Sequence, residues 1–393
     1  MRDDLNIRDE EKLLIGLSRL SFNDELIVKL KGLAESLTDW KYFATLAGKH
    51  GVAALAYNNL EKLKFLQYLP PDISDSLRST FMMNIARNTR FTEAMPKVLK
   101  VLNRQNIKTV LLKGLALELS VYGNSGLRQM SDVDILVARE NCLRAREILM
   151  DQGFISYPVK SVFHKAIITH TGKHLPTLSR NGFAIDVHHE LFSVSKNALT
   201  NILYANSVET EIKGEKTFIP EAQIFFLYLV KHLWFHEMTN ESQLRLYTDL
   251  VVLIEKYGDR IINHEMLGYA EQADMSEILA SRLNPLRNLW GISYPDWLND
   301  FIAKWSNPDS IRNFIFFLKS PKDNPVQNRA FLYRYNLGEI PGFHRKILFL
   351  LGDLFPTFRF MKKRYNCKSA WSTLLYYPLR FGKLWYIIKG VRV

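Results

Sequence analysis

Two aspartates one residue apart, Asp132 and Asp134, head the apolar run Val133, Ile135, Leu136 and Val137. No other feature constrains the chain as much. Side chains at i and i+2 of a strand point to the same face. A strand here therefore presents both carboxylates together while its aliphatic residues seat it in a sheet. Carboxylates held about 4 Å apart repel by roughly 4 kcal/mol per pair at an effective dielectric of 20, so a chain that keeps them together implies a cation. Hard oxygen ligands suit Mg²⁺, or Mn²⁺, which keeps positions for water and substrate phosphates. A third carboxylate is expected from a neighbouring strand. FAIDVHH supplies it in Asp186, flanked by Ile185 and Val187 after the turn signal SRNG.

The pattern around this pair predicts an α+β fold. Residues 1–105 repeat helical spacing in EEKLLIGLSRL, DELIVKLKGLAESL, WKYFATLAGKHGVAALAYNNLEKL and DSLRSTFMMNIARNTRFTEAMPKVLKVLNRQ, with loop signals between them. From Asn106 the chain changes to short aliphatic runs, IKTVLL, VDILVA, KAIITHT, TLSRNG and FAIDVHH, with helical stretches LALELSVYG and ENCLRAREILMDQG between the first strands. This reads as a mixed-sheet core over 106–215. Helical spacing returns over 216–342, and 343–393 is a basic, aromatic helical tail.

Length and an apolar content of 47% exclude a disordered chain. The formal charge of +12 is concentrated in the tail, where eleven Lys or Arg face one acid, Asp353. Cys142 and Cys367 allow at most one bridge, which points to a reducing compartment. The start carries acids where a signal peptide needs a basic patch, and the best candidate for a membrane span, ILFLLGDLFPTF, is interrupted by Asp353 and Pro356. A cytoplasmic protein is expected.

Upstream of the acidic pair, IKTVLLKG places Gly114 where a strand turns into a helix, a position at which backbone amides bind phosphate. Lys113 beside it and Arg128 in the loop before the acids are placed to meet phosphate. Strand, Gly, helix, D-h-D and a later h-D-h together resemble the nucleotidyltransferase superfamily to which DNA polymerase beta and the aminoglycoside nucleotidyltransferases belong. More narrowly, LLKGLALELSVYGNSGLRQMSDVDILV with IDVHHEL, KHLWFHEM and RLYTDLVVL resembles a bacterial family of uncharacterised nucleotidyltransferases, over roughly residues 50–255. The resemblance implies two metal ions on Asp132 and Asp134, with Asp186 on the catalytic ion and beside the acceptor hydroxyl. It implies transfer of a nucleoside monophosphate from an NTP, ATP by default, to an unknown acceptor. The chain departs from the usual Gly-Gly or Gly-Ser signature, because Gly114 is followed by Leu115 and a long interval.

Other readings share these residues. A non-catalytic nucleotide-binding module keeps the metals only to hold a nucleotide, and a phosphohydrolase uses water as acceptor. His164, His170, His174, His188 and His189 fall in one stretch, but their spacing fits no zinc signature and no cysteine accompanies them. His174 and His188 are read as flanking the nucleotide or acceptor. His232 and His236 are read as core histidines, and Asp249 as capping or pairing within its helical unit, with the resemblance leaving it a supporting role. The tail suits an anionic membrane surface, RNA, or a helical cap on the core. Its many aliphatic residues favour peripheral contact at the inner membrane surface over RNA.

Overall fold

The computed structural model describes residues 7–192, 198–239, 241, 243–320 and 329–389. Its sheet contains β1 (Val110–Leu112), β2 (Val133–Leu136), β3 (Ile155–Ser156), β4 (Leu178–Arg180), β5 (Phe183–His188), β6 (Ser207–Ile212) and β7 (Glu215–Pro220). They lie in the order β3-β4-β5-β2-β1-β7-β6. β2 runs parallel to β5, and β1 parallel to β7; the other neighbours are antiparallel. The fold is thus α+β with a mixed sheet, as the periodicity predicts.

The central strands are short and apolar because both faces are covered. Every residue of β1 and β2 is buried. Two hairpins set the outer register. Asn181 and Gly182 join β4 to β5, and Lys213 and Gly214 join β6 to β7, all four with positive φ. A two-residue loop with both residues left-handed matches the strand twist.

The structure departs from the sequence reading in two places, at KAIITHT and at β6 and β7. KAIITHT is not a strand: residues Val162–Ala166 form a helical turn and Ile168–His170 a 3-10 turn. Ser161 caps the first by accepting from the His164 amide at 3.0 Å, a local bond that competes with extended pairing despite the β-branched residues. β6 and β7 carry too many charges to read as strands, and they carry the sheet to Pro220, beyond the expected edge at 215. The stretch WKYFATLAGKHGVAALAYNNLEKL forms two helices, Trp40–Lys49 and Ala53–Lys62, divided at Gly51 with φ +68°.

The helical regions on either side of the sheet share one core. A continuous buried cluster runs from Ile7 to Leu318. Arg19 pairs with Glu255 at 2.8 Å, and the same carboxylate accepts from the Leu20 and Ser21 amides. Buried His50 accepts from the Leu244 amide at Nδ1, so Nε2 donates to the Leu318 carbonyl at 2.8 Å.

The tail folds as helices Phe343–Leu354, Phe358–Arg364 and Ala370–Lys389. Its single acid, Asp353, is turned inward, 1% exposed, against Lys160 and His164. The Thr357 amide donates to the Lys160 carbonyl at 2.8 Å, and Lys363 lies over the Tyr157 ring. The tail is therefore docked on residues 157–164 of the core. Phe343, Trp371 and Leu375 nonetheless stay more than 70% exposed. Arg392 lies outside the described residues, as do the side chains of Arg380, Phe381, Lys383, Trp385, Tyr386 and Lys389. Among the described residues no helix is long and apolar enough to cross a membrane, and both cysteines are free and buried.

Candidate active site

The parallel pairing of β2 with β5 sets Asp134 directly opposite Asp186. Asp134 also faces Leu112, the last residue of β1, so Lys113 emerges beside it. Lys113 Nζ donates to Asp134 Oδ1 at 2.7 Å, and His188 Nε2 lies 2.7 Å from the same oxygen. Asp132, just before β2, is half-buried and accepts from Ser131 Oγ at 2.9 Å. The three aspartates line one cleft of about 270 Å³ with Lys113, Gly114, Arg128, Lys173, His174, His232, His236 and Arg245. Asp134 and Asp186 are only 5% and 8% exposed.

Electrostatics separates the two neighbouring acids. Burial alone would raise the Asp134 pKa, but the Lys113 ammonium and His188 override it and hold this carboxyl well below the usual range. Burial and then the charge of Asp134 push Asp132 upward. Both directions follow from which acid holds the lysine. Among the described residues Asp186 makes no hydrogen bond through Oδ1, which is buried; its Oδ2 is 3.8 Å from His174 Nε2. An orphaned buried carboxylate oxygen beside a second acid fits a cation ligand.

The structure places the expected phosphate contacts less simply. Lys113 has φ +46°, a left-handed backbone that strains a non-glycine residue by about 1–2 kcal/mol. The ion pair with Asp134 holds it there. A β-carbon on Gly114 would come within 2.6 Å of Met130 Sδ and 2.8 Å of Arg128 Nη1, so a larger residue here would push aside the ends of the Met130 and Arg128 side chains. Arg128 itself is committed to a buried fork. Its Nε and Nη2 donate to the two oxygens of Asp249 at 2.8 and 2.7 Å, and Tyr122 Oη adds a third bond at 2.9 Å. Only Nη1 is left toward the cleft, with a long contact to the Gln129 carbonyl at 3.5 Å. Asp249 thus pairs across to the loop before β2 rather than within its own helix.

The histidines divide differently from the sequence reading. His174 lines the cleft, but His188 does not: it is 0% exposed, fixed between Asp134 and the Glu190 carbonyl. His232 and His236, expected as core residues, both line the cleft with rings 4.5 Å apart. Lys173 and Arg245 were not anticipated. Lys173 reaches the cleft from an irregular segment whose carbonyl accepts from the His189 and Glu190 amides at 3.1 Å, so no periodicity marks it. Burial, then Lys113, lower its pKa to about 8. Arg245 carries a faint signal, standing one helical turn before Asp249. Burial, then Arg128, lower its pKa to about 10.

The loop leading into β2 is clamped from the N-terminal region. Buried Asn88 donates to the carbonyls of Ser125 and Arg128 at 2.7 and 2.8 Å, and Asn84 to that of Gly126 at 3.1 Å. These asparagines sit on the helix Pro71–Asn103, which thereby sets where Arg128 and Asp132 stand.

The family described as "Uncharacterised nucleotidyltransferase" matches residues 36–291, well over half of the chain. No curated protein matches. Among solved structures, that of the antibiotic-resistance factor ANT(2'')-Ia is similar at 10% identity and a TM-score of 0.34, covering 50% of this chain and 99% of that one. The carboxylates gathered by β2 and β5 lie inside the matched span, and the chain belongs to the uncharacterised nucleotidyltransferase family.

Proposed function

We propose that this cleft moves a nucleoside monophosphate from a nucleoside triphosphate, ATP as first choice, to a hydroxyl acceptor in the cytoplasm. The observation that carries the reading is Asp134 in register with Asp186, with Asp132 at the mouth of the same cation-lined cleft. Asp132, Asp134 and Asp186 would hold two Mg²⁺ or Mn²⁺ ions, which when bound supply charge neutralisation at the phosphates and at the attacking and leaving oxygens. Lys113, Lys173, Arg245 and the remaining Nη1 of Arg128 meet the triphosphate, with Gly114 leaving room for the end of the Arg128 side chain. Asp186, through Oδ2 on the side of His174, takes the acceptor proton as the acceptor oxygen bonds Pα and the Pα–O bond to pyrophosphate breaks. His174, beside Asp186, lies on the acceptor side.

The test is incubation with Mg²⁺ or Mn²⁺, each α-labelled nucleoside triphosphate and a cell extract as acceptor pool. Label in a product with pyrophosphate release supports transfer. Free monophosphate would replace this reading by hydrolysis, and binding without turnover by a nucleotide-holding module. Asp186→Asn is expected to lower turnover by about 10²–10⁴-fold, the range of a lost general base, with nucleotide affinity nearly kept.

The tail is the chain's contact with an anionic membrane surface, ahead of RNA. Its one acid is buried, while Arg359, Lys362, Lys363, Arg364 and Lys368 are exposed together with Trp371 and Leu375. Each cation near such a surface contributes about 1 kcal/mol. The full chain is expected to float with anionic but not neutral vesicles, less so as salt rises, and Trp371→Ala/Leu375→Ala to weaken it. Retardation of RNA with no flotation would assign the tail to nucleic acid.

A further inference from the structure

The buried histidine behind the two central aspartates has a hydrogen-bond problem. His188 Nε2 lies 2.7 Å from Asp134 Oδ1, and Nδ1 lies 3.2 Å from the Glu190 carbonyl. Both partners only accept, whereas a neutral imidazole carries one N–H. With Nε2–H donating to Asp134, Nδ1 turns its lone pair toward the Glu190 carbonyl oxygen. A cation shared by Nε2 and the Asp134 oxygen takes the place of that proton, leaving the one N–H on Nδ1 and removing the repulsion. The arrangement then becomes the usual one for a metal-bound histidine, whose second ring nitrogen donates to a backbone carbonyl and fixes the tautomer.

Two further observations point to the same ion. Atoms of Asp134, Asp186 and His188 all lie within 4.8 Å of one another. Asp186 Oδ1 is buried and lacks a hydrogen-bond partner among the described residues. The Lys113 ammonium serves Asp134 but not that oxygen. The pairing of β2 with β5 sets Leu136 opposite His188 as it sets Asp134 opposite Asp186, so the strand that delivers the acid delivers the imidazole two residues on, on the same face.

We infer that His188 is a nitrogen ligand, with Asp134 and Asp186, to a divalent ion at the buried base of this cleft, and that it biases the site toward a first-row transition ion over Mg²⁺. This rests on the metal-dependent reading above. Imidazole nitrogen suits transition ions, while Mg²⁺ prefers an all-oxygen shell.

The experiment uses the full-length protein with Mn²⁺ as probe and reads ¹⁴N coupling to the bound ion by pulsed EPR, beside calorimetric affinities for Mn²⁺ and Mg²⁺. The expected result is directly coordinated nitrogen in the parent protein and in His174→Ala, and its loss in His188→Asn. Mn²⁺ affinity in His188→Asn is expected to fall about 10–100-fold, as when a group supporting a metal site is removed, and Mg²⁺ affinity by less. No nitrogen coupling in the parent protein, or coupling that follows His174 instead, overturns the assignment. If His188→Asn does not fold, His188→Gln is read in its place, and coupling lost in His232→Ala or His236→Ala overturns the assignment as well. Nitrogen coupling without nucleotide transfer would sink the proposed function and leave this ligand standing; transfer without coupling would do the reverse.

Discussion

Asp132→Asn and Asp134→Asn are expected to abolish turnover alike and yet to separate sharply in stability. Each removes a carboxylate proposed to hold metal, so turnover at saturating nucleotide should fall more than about 100-fold, the upper size of the loss when only a supporting partner is removed. Stability differs because only Asp134 carries a buried counter-ion. Lys113 Nζ rests on it at 2.7 Å with side chains 16% and 6% exposed. An amide there leaves an ammonium without its charge partner. Breaking a buried pair from one side costs about 3–5 kcal/mol, and the lower end applies because the asparagine oxygen still accepts a hydrogen bond. Among the described residues Asp132 has no such ion pair: burial and Asp134 disfavour its charge more than Lys113 favours it, so Asp132→Asn should leave the metal-free protein as stable or slightly more so. Urea unfolding without divalent ions, beside turnover with them, measures both. Equal stabilities would mean that the Lys113 pair contributes nothing, and wild-type turnover in either variant would refute the metal assignment.

Removal of Asp249 should be among the most damaging single changes in the chain, although this residue does not line the cleft. It is 0% exposed and accepts both arms of Arg128 and the Tyr122 hydroxyl. Asp249→Ala strands a guanidinium that is itself 6% exposed, and the expected loss is about 3–5 kcal/mol. Replacing both partners with apolar residues, Arg128→Met/Asp249→Leu, should recover most of it, because no buried charge is left. The double variant also separates two roles of Arg128. If the residue only anchors the loop before β2, the recovered protein regains nucleotide affinity; if Nη1 also meets phosphate, affinity stays low while the fold is restored. A single Asp249→Ala variant with parental urea midpoint would show that the fork contributes nothing to stability.

How much of this was legible depends on the range over which each feature is encoded. The D-V-D pair and FAIDVHH are local signals: a two-residue period and aliphatic neighbours suffice to read a strand and a shared face. The Asn181–Gly182 turn is local as well. The β6–β7 hairpin was missed because Glu209 and Glu211 on the edge strand β6, with Glu215 and Lys216 on its partner β7, mask the pattern. KAIITHT misled because β-branched composition favours a strand, whereas the Ser161 cap and the docked tail decide the local backbone.

The sequence by itself determined that Asp134 and Asp186 would stand on two strands of an α+β core, with Asp132 at the head of the first, since spacing and flanking residues specify both. Only the tertiary structure decided what stands around them. Register between β2 and β5 put Asp134 against Asp186 and brought His188 beneath them. Packing of the helix Leu244–Tyr257 against the loop before β2 joined Arg128 to Asp249, 121 residues apart. An irregular segment with no periodicity delivered Lys173. Pairings at such separations are set by chain packing, in which one buried charge must find its partner, and no local pattern records which partner it is.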